Sequence, residues 1–177
     1  MASPVCFAQS IQPNFRKNEV KVALLSLFSG SSKVTYQRWL FDYQSVEFTI
    51  GIIGLGVDKL KDSNPSGTAW RLAYKFVTPS DNNANNPMCG NYCKPELCYS
   101  SYSYNHPTKG KLEVNYAALM WVMGYDWVKD WFVFDIYAGV GYAFGDNNYS
   151  YYHHGYIILN SKYPIALTAG FRVGVAF

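Results

Sequence analysis

Cys89, Cys93 and Cys98 lie close together, with His106 a little further on, and are the first residues to weigh for chemistry. A structural zinc site takes four ligands, usually from tighter Cys-x-x-Cys pairs. These spacings do not match, so no metal is expected. In an oxidising compartment the three thiols point instead to one disulfide, with Cys89 joined to Cys93 or Cys98. Either choice closes a small loop.

A second group surrounds His153 and His154, among Tyr149, Tyr151, Tyr152 and Tyr156. Ser150, His154 and Asp146 have the residue types of a nucleophile, a base and an orienting carboxylate. All three fall in one polar loop, where no rigid element would hold them to catalytic tolerance. Tyrosine-rich exposed loops bury large area at modest entropy cost, which suits recognition. Tyr149, Tyr151, Tyr152, His153, His154 and Tyr156 therefore form a candidate interaction loop. No catalytic residue and no cofactor is expected.

The elements that must position these residues are strands. From Ile165 every second residue is apolar: Leu167, Ala169, Phe171, Val173, Val175 and Phe177. The residues between are small or charged: Ala166, Thr168, Gly170, Arg172, Gly174 and Ala176. Period-two alternation is a strand signal. Four more segments, 46–52, 68–77, 112–122 and 132–145, also carry one continuous apolar face. In 112–122 that face reads Leu112, Val114, Tyr116, Ala118, Met120 and Val122, opposite Glu113, Asn115 and Ala117.

Turn chemistry divides the chain into eight strands, at about 19–28, 33–41, 45–57, 68–77, 97–105, 112–125, 132–145 and 165–177. The fifth has the weakest pattern, because Ser-Ser-Tyr-Ser-Tyr shows no apolar face. An even count brings both termini to one end. The loops at 58–67, 106–111 and 146–163 then share the other end, while the Cys-bearing stretch 78–96 is expected as a long loop on the terminal side. Composition fits a membrane barrel. Of 177 residues, 18% are aromatic, sixteen of them Tyr, and only 15% are charged. No apolar run approaches the ~20 residues of a spanning helix, whereas a barrel strand needs only ~9–11. A net charge of +3 is too small to indicate nucleic acid. The fold expected is all-β, an eight-stranded antiparallel transmembrane barrel over 19–177.

If the apolar faces meet lipid, the lumen receives Lys21, Gln37, Glu47, Arg71, Lys75, Glu113, Asn115, Asp135 and Arg172. Buried charges must pair, and eight strands leave room only for side chains. A filled, paired polar network is expected rather than a pore. Residues 1–9, MASPVCFAQ, read as the tail of a secretory signal with Ala8 near a cleavage point. Residues 10–18 follow as a periplasmic segment. Lipidation at Cys6 fits less well, given Pro4 and Val5.

Several short runs carry a resemblance: Asn18-Glu19-Val20-Lys21, Val34-Thr35-Tyr36-Gln37-Arg38, Gly124-Tyr125-Asp126-Trp127, Gly139-Val140-Gly141-Tyr142 and Gly174-Val175-Ala176-Phe177. With them the chain resembles small outer-membrane barrels of the Bacteroidota, of the OmpA/OmpX-like size class. The Cys-bearing stretch departs from that pattern. The resemblance implies a Gram-negative outer membrane, contact with lipid and lipopolysaccharide, and Phe177 as the signal read by the barrel-insertion machinery. It implies little about function. A structural, accessory-subunit or surface-interaction role is expected, with another outer-membrane protein as partner. Some barrels of this size modify lipid A through a rim Ser or His, which is the alternative. A narrow channel for small hydrophobic molecules is another, and it needs a lateral gap, hinted at only by strand five.

Overall fold

The computed structural model describes residues 15–55, 64–79, 86–106, 108–145, 154–159 and 163–177. Its elements are β1 (Asn18–Ala23), α1 (Leu24–Phe28), β2 (Ser31–Phe41), β3 (Gln44–Ile53), β4 (Ser66–Val77), β5 (Gly90–His106), β6 (Gly110–Lys129), β7 (Phe132–Gly145), β8 (Ile157–Ile158) and β9 (Ile165–Ala176). Each long strand pairs antiparallel with the next, and β9 returns to β1. The result is a closed eight-stranded barrel, with the two-residue β8 added along β9. Closure satisfies backbone groups that an open sheet would leave along its edges. Among the described residues no helix is long and apolar enough to cross a membrane.

The closing seam runs from Glu19↔Ala176 to Ala23↔Arg172. Asn18 and Phe177 extend it by exchanging backbone hydrogen bonds, N–H to O at 3.1 and 2.9 Å. At this terminal end, β2–β3 and β6–β7 turn in two residues, Asp42-Tyr43 and Asp130-Trp131. Both Asp residues take positive φ, 46° and 56°, a conformation that Asp tolerates better than most side chains. β3, β5 and β7 end at the opposite, distal end, as strand parity requires.

Alternation sets the wall. Outward residues such as Ile50, Leu72 and Trp121 are exposed, while their neighbours Thr49, Arg71, Ala73, Met120 and Val122 are buried in the lumen. Lumen-side glycines let strands approach closely. A Cβ on Gly141 would stand 2.2 Å from the Leu119 carbonyl oxygen.

Two strands differ from the sequence reading. The first strand ends at Ala23, five residues short of 28, and gives way to α1. Leu24, Leu25, Leu27 and Phe28 are all apolar, so alternation stops there, and Ser26 Oγ donates to the Ala23 carbonyl at 2.6 Å. The fifth strand starts at Gly90, so the last part of the expected Cys loop, 90–96, is strand. Its inward face is Tyr92, Lys94, Glu96, Cys98 and Ser100, mostly polar, which hid it from an apolar-face criterion. Pro95 interrupts it only locally. Pairing with β4 lapses between Ala73↔Glu96 and Phe76↔Cys93, where Pro95 has no N–H to donate. Pairing with β6 is continuous from Gly90 to His106, so the lapse is confined to two residues on the β4 side.

A longer interruption lies at the β1–β9 seam. Because β1 stops at Ala23, it reaches β9 only at Arg172 and beyond. Towards the distal end β8 takes over, pairing at Leu167 and Ala166. Residues 168–171 between them have a strand partner on the β7 side alone, with α1 lying across the other side.

Candidate functional site

The terminal half of the lumen is a charge network. Lys21, Lys75, Lys94, Arg71 and Arg172 face Glu19, Glu47, Glu96, Asp126 and Asp135, five cations against five carboxylates, all buried. Inward positions on β1, β3, β4, β5, β6, β7 and β9 supply them, so the network ties most of the circumference together.

Its geometry is that of interlocked pairs. Lys21 Nζ donates to Gln37 Oε1 at 2.6 Å and pairs with Glu19 and Asp126 at 3.0 Å each. Lys75 pairs with Asp126 and lies 3.5 Å from Glu47. Its ammonium also stands 3.9 Å from the Tyr92 ring centroid. Lys94 pairs with Glu47, and with Glu96 at 3.1 Å. Arg172 donates from Nε to Asp135 at 2.6 Å and from Nη1 to Glu47 at 3.2 Å. The Tyr92 hydroxyl completes Asp135 at 2.7 Å, and Arg71 donates to Glu96 at 2.8 Å.

Most expected lumen residues belong to this network: Lys21, Gln37, Glu47, Arg71, Lys75, Asp135 and Arg172. Glu113 and Asn115 do not. Both point outward, and the apolar face of that strand, from Val114 to Val122, points inward. Both faces of β6 are apolar at its centre, since Leu119, Trp121 and Met123 stand on the outside, so the two polar residues near its distal end misassign it. Glu19, Lys94, Glu96 and Asp126 were missed. Asp126, between Tyr125 and Trp127, carried the signal that would have set the face of β6 correctly.

Glu47, Asp126 and Asp135 can bring one oxygen each within 4.8 Å of one another. Each already binds ammonium or guanidinium groups, so a divalent cation would have to displace Lys21, Lys75 or Arg172. The three carboxylates are therefore neutralised by the protein's own lysines and arginine.

The distal half of the lumen is apolar. Ile53, Val114, Met120, Val122 and Ala143 pack with Tyr102 and Tyr116. The segment 154–159 folds in over them. Tyr156 and Ile158 are 3% and 4% exposed, and His154 sits edge-on to Tyr102 with centroids 5.0 Å apart. Arg71 donates to the Gly155 carbonyl, as does Thr168 Oγ1 at 2.9 Å. Burial pushes the Tyr156 phenol up from its ordinary value. His154 and Tyr156 are thus lumen-closing residues and not part of an exposed interaction loop, because the apolar chamber beneath them offers a better partner than water. Tyr149, Tyr151, Tyr152 and His153 lie outside the described residues, as do Asp146, Ser150 and the stretch 1–9 with Cys6.

The thiols correct another expectation. No disulfide joins Cys89, Cys93 and Cys98 to one another. Cys93 and Cys98 are five residues apart on one strand, on opposite faces, roughly 16 Å apart at ~3.3 Å per residue. Cys98 faces inward and its thiol donates to Glu96 at 3.3 Å. Partial burial pushes the Cys89 thiol up. Phe177 lies at the seam with its ring exposed.

One buried base stands apart from the network. Lys33, on the inward face of β2, is 7% exposed, and neither a hydrogen bond nor an ion pair joins it to another residue among those described. Comparisons with protein-family models, curated proteins and solved structures find no match to this chain.

Proposed function

We propose that the chain is an integral outer-membrane barrel with a plugged lumen, serving a structural or accessory role without catalysis. One observation carries this reading: the wall is sorted apolar-out and charged-in. Ile50, Leu72, Leu97, Leu119, Trp121 and Val140 are 40–55% exposed around the belt, while ten charged groups are sealed inside. In water so large an apolar belt drives association. In hydrocarbon it is the favoured surface. Strand length supports the same reading, since β2, β3, β4 and β9 have 10–12 residues, close to the ~9–11 of a tilted spanning strand. Trp39, Trp127, Trp131 and Phe132 gather at the terminal rim, where an interfacial aromatic girdle would sit.

On this reading the terminal end is periplasmic, and the distal connections face outward, available to another outer-membrane protein. Lipid and lipopolysaccharide surround the wall. Phe177 is the residue the insertion machinery would recognise. The test combines fractionation with conductance. The protein should stay with outer membranes through a urea wash and give no conductance steps in planar bilayers. Release by urea would overturn membrane integration, and stable channels would overturn the plug. A changed lipid A acyl pattern on deletion would replace the accessory role with an enzymatic one. A second reading, a site for small hydrophobic molecules, is favoured by one feature, the interrupted seam beside β9.

A further inference from the structure

We propose that the seam between α1 and β9 is a binding site for a single-chain anionic amphiphile. Its carboxylate would meet Lys33 inside the wall, and its acyl chain would leave through the seam. The inference rests on the wall facing lipid, and it adds a ligand class that the plugged-barrel reading does not contain.

Three independent observations converge. The first is the wall itself. Among the described residues, 168–171 have no strand partner on the β1 side, and a five-residue helix lies there instead. The second is a cavity of about 180 Å³ at that place, bounded by α1, by the β8 segment and by β9. Leu25, Ile157, Leu167 and Phe171 give it apolar walls, while Ser26 and Thr168 add hydroxyls. The third is Lys33. It lines the cavity, is nine-tenths buried, and has no hydrogen bond or ion pair within the described protein.

The contrast with the plug makes Lys33 informative. Each of the five plug cations has a carboxylate within ion-pair distance. Burying an ammonium without a counter-charge is unfavourable, so such an amine either sheds its proton or takes a counter-charge from a bound group. Room has been left for it: a Cβ on Gly51 would stand 3.0 Å from Lys33 Cγ, so the glycine accommodates the lysine stem. Arg71, the nearest other cation at this level, is engaged by Glu96 and the Gly155 carbonyl. The site therefore offers one amine, which a bound monoanion would hold as the ammonium. A carboxylate fits that charge and this small volume better than a phosphate on a multi-chain sugar. The apolar walls lead outward: Leu25 is 49% and Ile157 49% exposed on the outer surface. A chain lying there would continue into the acyl region of the bilayer.

The test uses the full chain folded in a nonionic detergent, with folding scored by heat-modifiable mobility. Native mass spectrometry and titration calorimetry compare laurate, dodecanol and dodecyl phosphate. Laurate should bind one-to-one, at least tenfold tighter than dodecanol and tighter than dodecyl phosphate. Lys33→Gln should lose tenfold or more in laurate affinity and Lys33→Arg should keep most of it. Ala169→Trp, placed in the seam, should weaken laurate while leaving acetate unaffected. Equal binding of laurate and dodecanol to the unmodified protein, or laurate affinity unchanged in a folded Lys33→Gln, would overturn the site. Dodecyl phosphate binding more tightly than laurate would overturn the carboxylate assignment. Detergent-phase partitioning separates the two proposals. A detergent-phase barrel that ignores laurate loses only the site. A water-soluble barrel that binds laurate loses only the bilayer route.

Discussion

Replacing Arg172 by Met tests the plug where its pairs interlock. The guanidinium is 5% exposed on its side chain and serves both Asp135, from Nε at 2.6 Å, and Glu47, from Nη1 at 3.2 Å. Met keeps comparable bulk, so little of the effect arises from a cavity. Glu47 retains Lys94 and lies 3.6 Å from Lys21, so its loss is partial. Asp135 retains only the Tyr92 hydroxyl and Lys21 at 3.6 Å. Breaking a buried pair from one side costs about 3–5 kcal/mol, and the surviving partners place this variant near the lower end, about 3 kcal/mol. With a urea slope of about 2 kcal/mol per molar, the unfolding midpoint in detergent should fall by about 1.5 M. The double variant Arg172→Met/Asp135→Leu removes the orphaned charge together with its partner. It should recover most of the loss, because apolar replacement of a whole buried pair is close to neutral. A single variant that loses under 1 kcal/mol, or a double variant no more stable than the single, would refute the interlocked-pair account.

Val140→Lys puts a charge on the outer wall and should cost about 2–4 kcal/mol in lipid. Gly141→Leu faces the lumen against the β6 backbone and should fail by overfilling, visible as loss of the folded band rather than a midpoint shift. The thiols should run alike on reducing and non-reducing gels, and Cys98 should react with a maleimide only after unfolding, whereas a native Cys98 adduct would contradict its inward position. Phe177→Ala keeps the backbone pairing with Asn18, so its midpoint in detergent should change little while its level in membranes falls. Normal membrane levels would remove the insertion role of the ring.

The sequence was legible where one face of a strand was uniformly apolar and the other was not. β7 and β9 are such strands, and Val140, Gly141 and Arg172 face as expected. β6 was misread because Leu119, Trp121 and Met123 outside are as apolar as Met120 and Val122 inside, so hydropathy alone cannot choose a face. β5 was hidden by its polar inward face and by Pro95. The early end of β1 was readable in retrospect, since Leu24-Leu25-Ser26-Leu27-Phe28 breaks the alternation. Six of the ten plug charges were legible from spacing. Its pairing, the inward turn of His154 and Tyr156, and the isolation of Lys33 depend on which strands become neighbours across the lumen, and no local pattern encodes that.

The central claim is that the outer wall meets hydrocarbon, and depth-dependent fluorescence quenching tests it most directly. Trp121 lies midway along β6 with half its surface exposed outward. In vesicles of lipid brominated deep in the acyl chains, a variant retaining Trp121 as its sole tryptophan should be strongly quenched and should resist aqueous iodide. Quenching by iodide with no response to brominated lipid would place that wall in water and contradict the account.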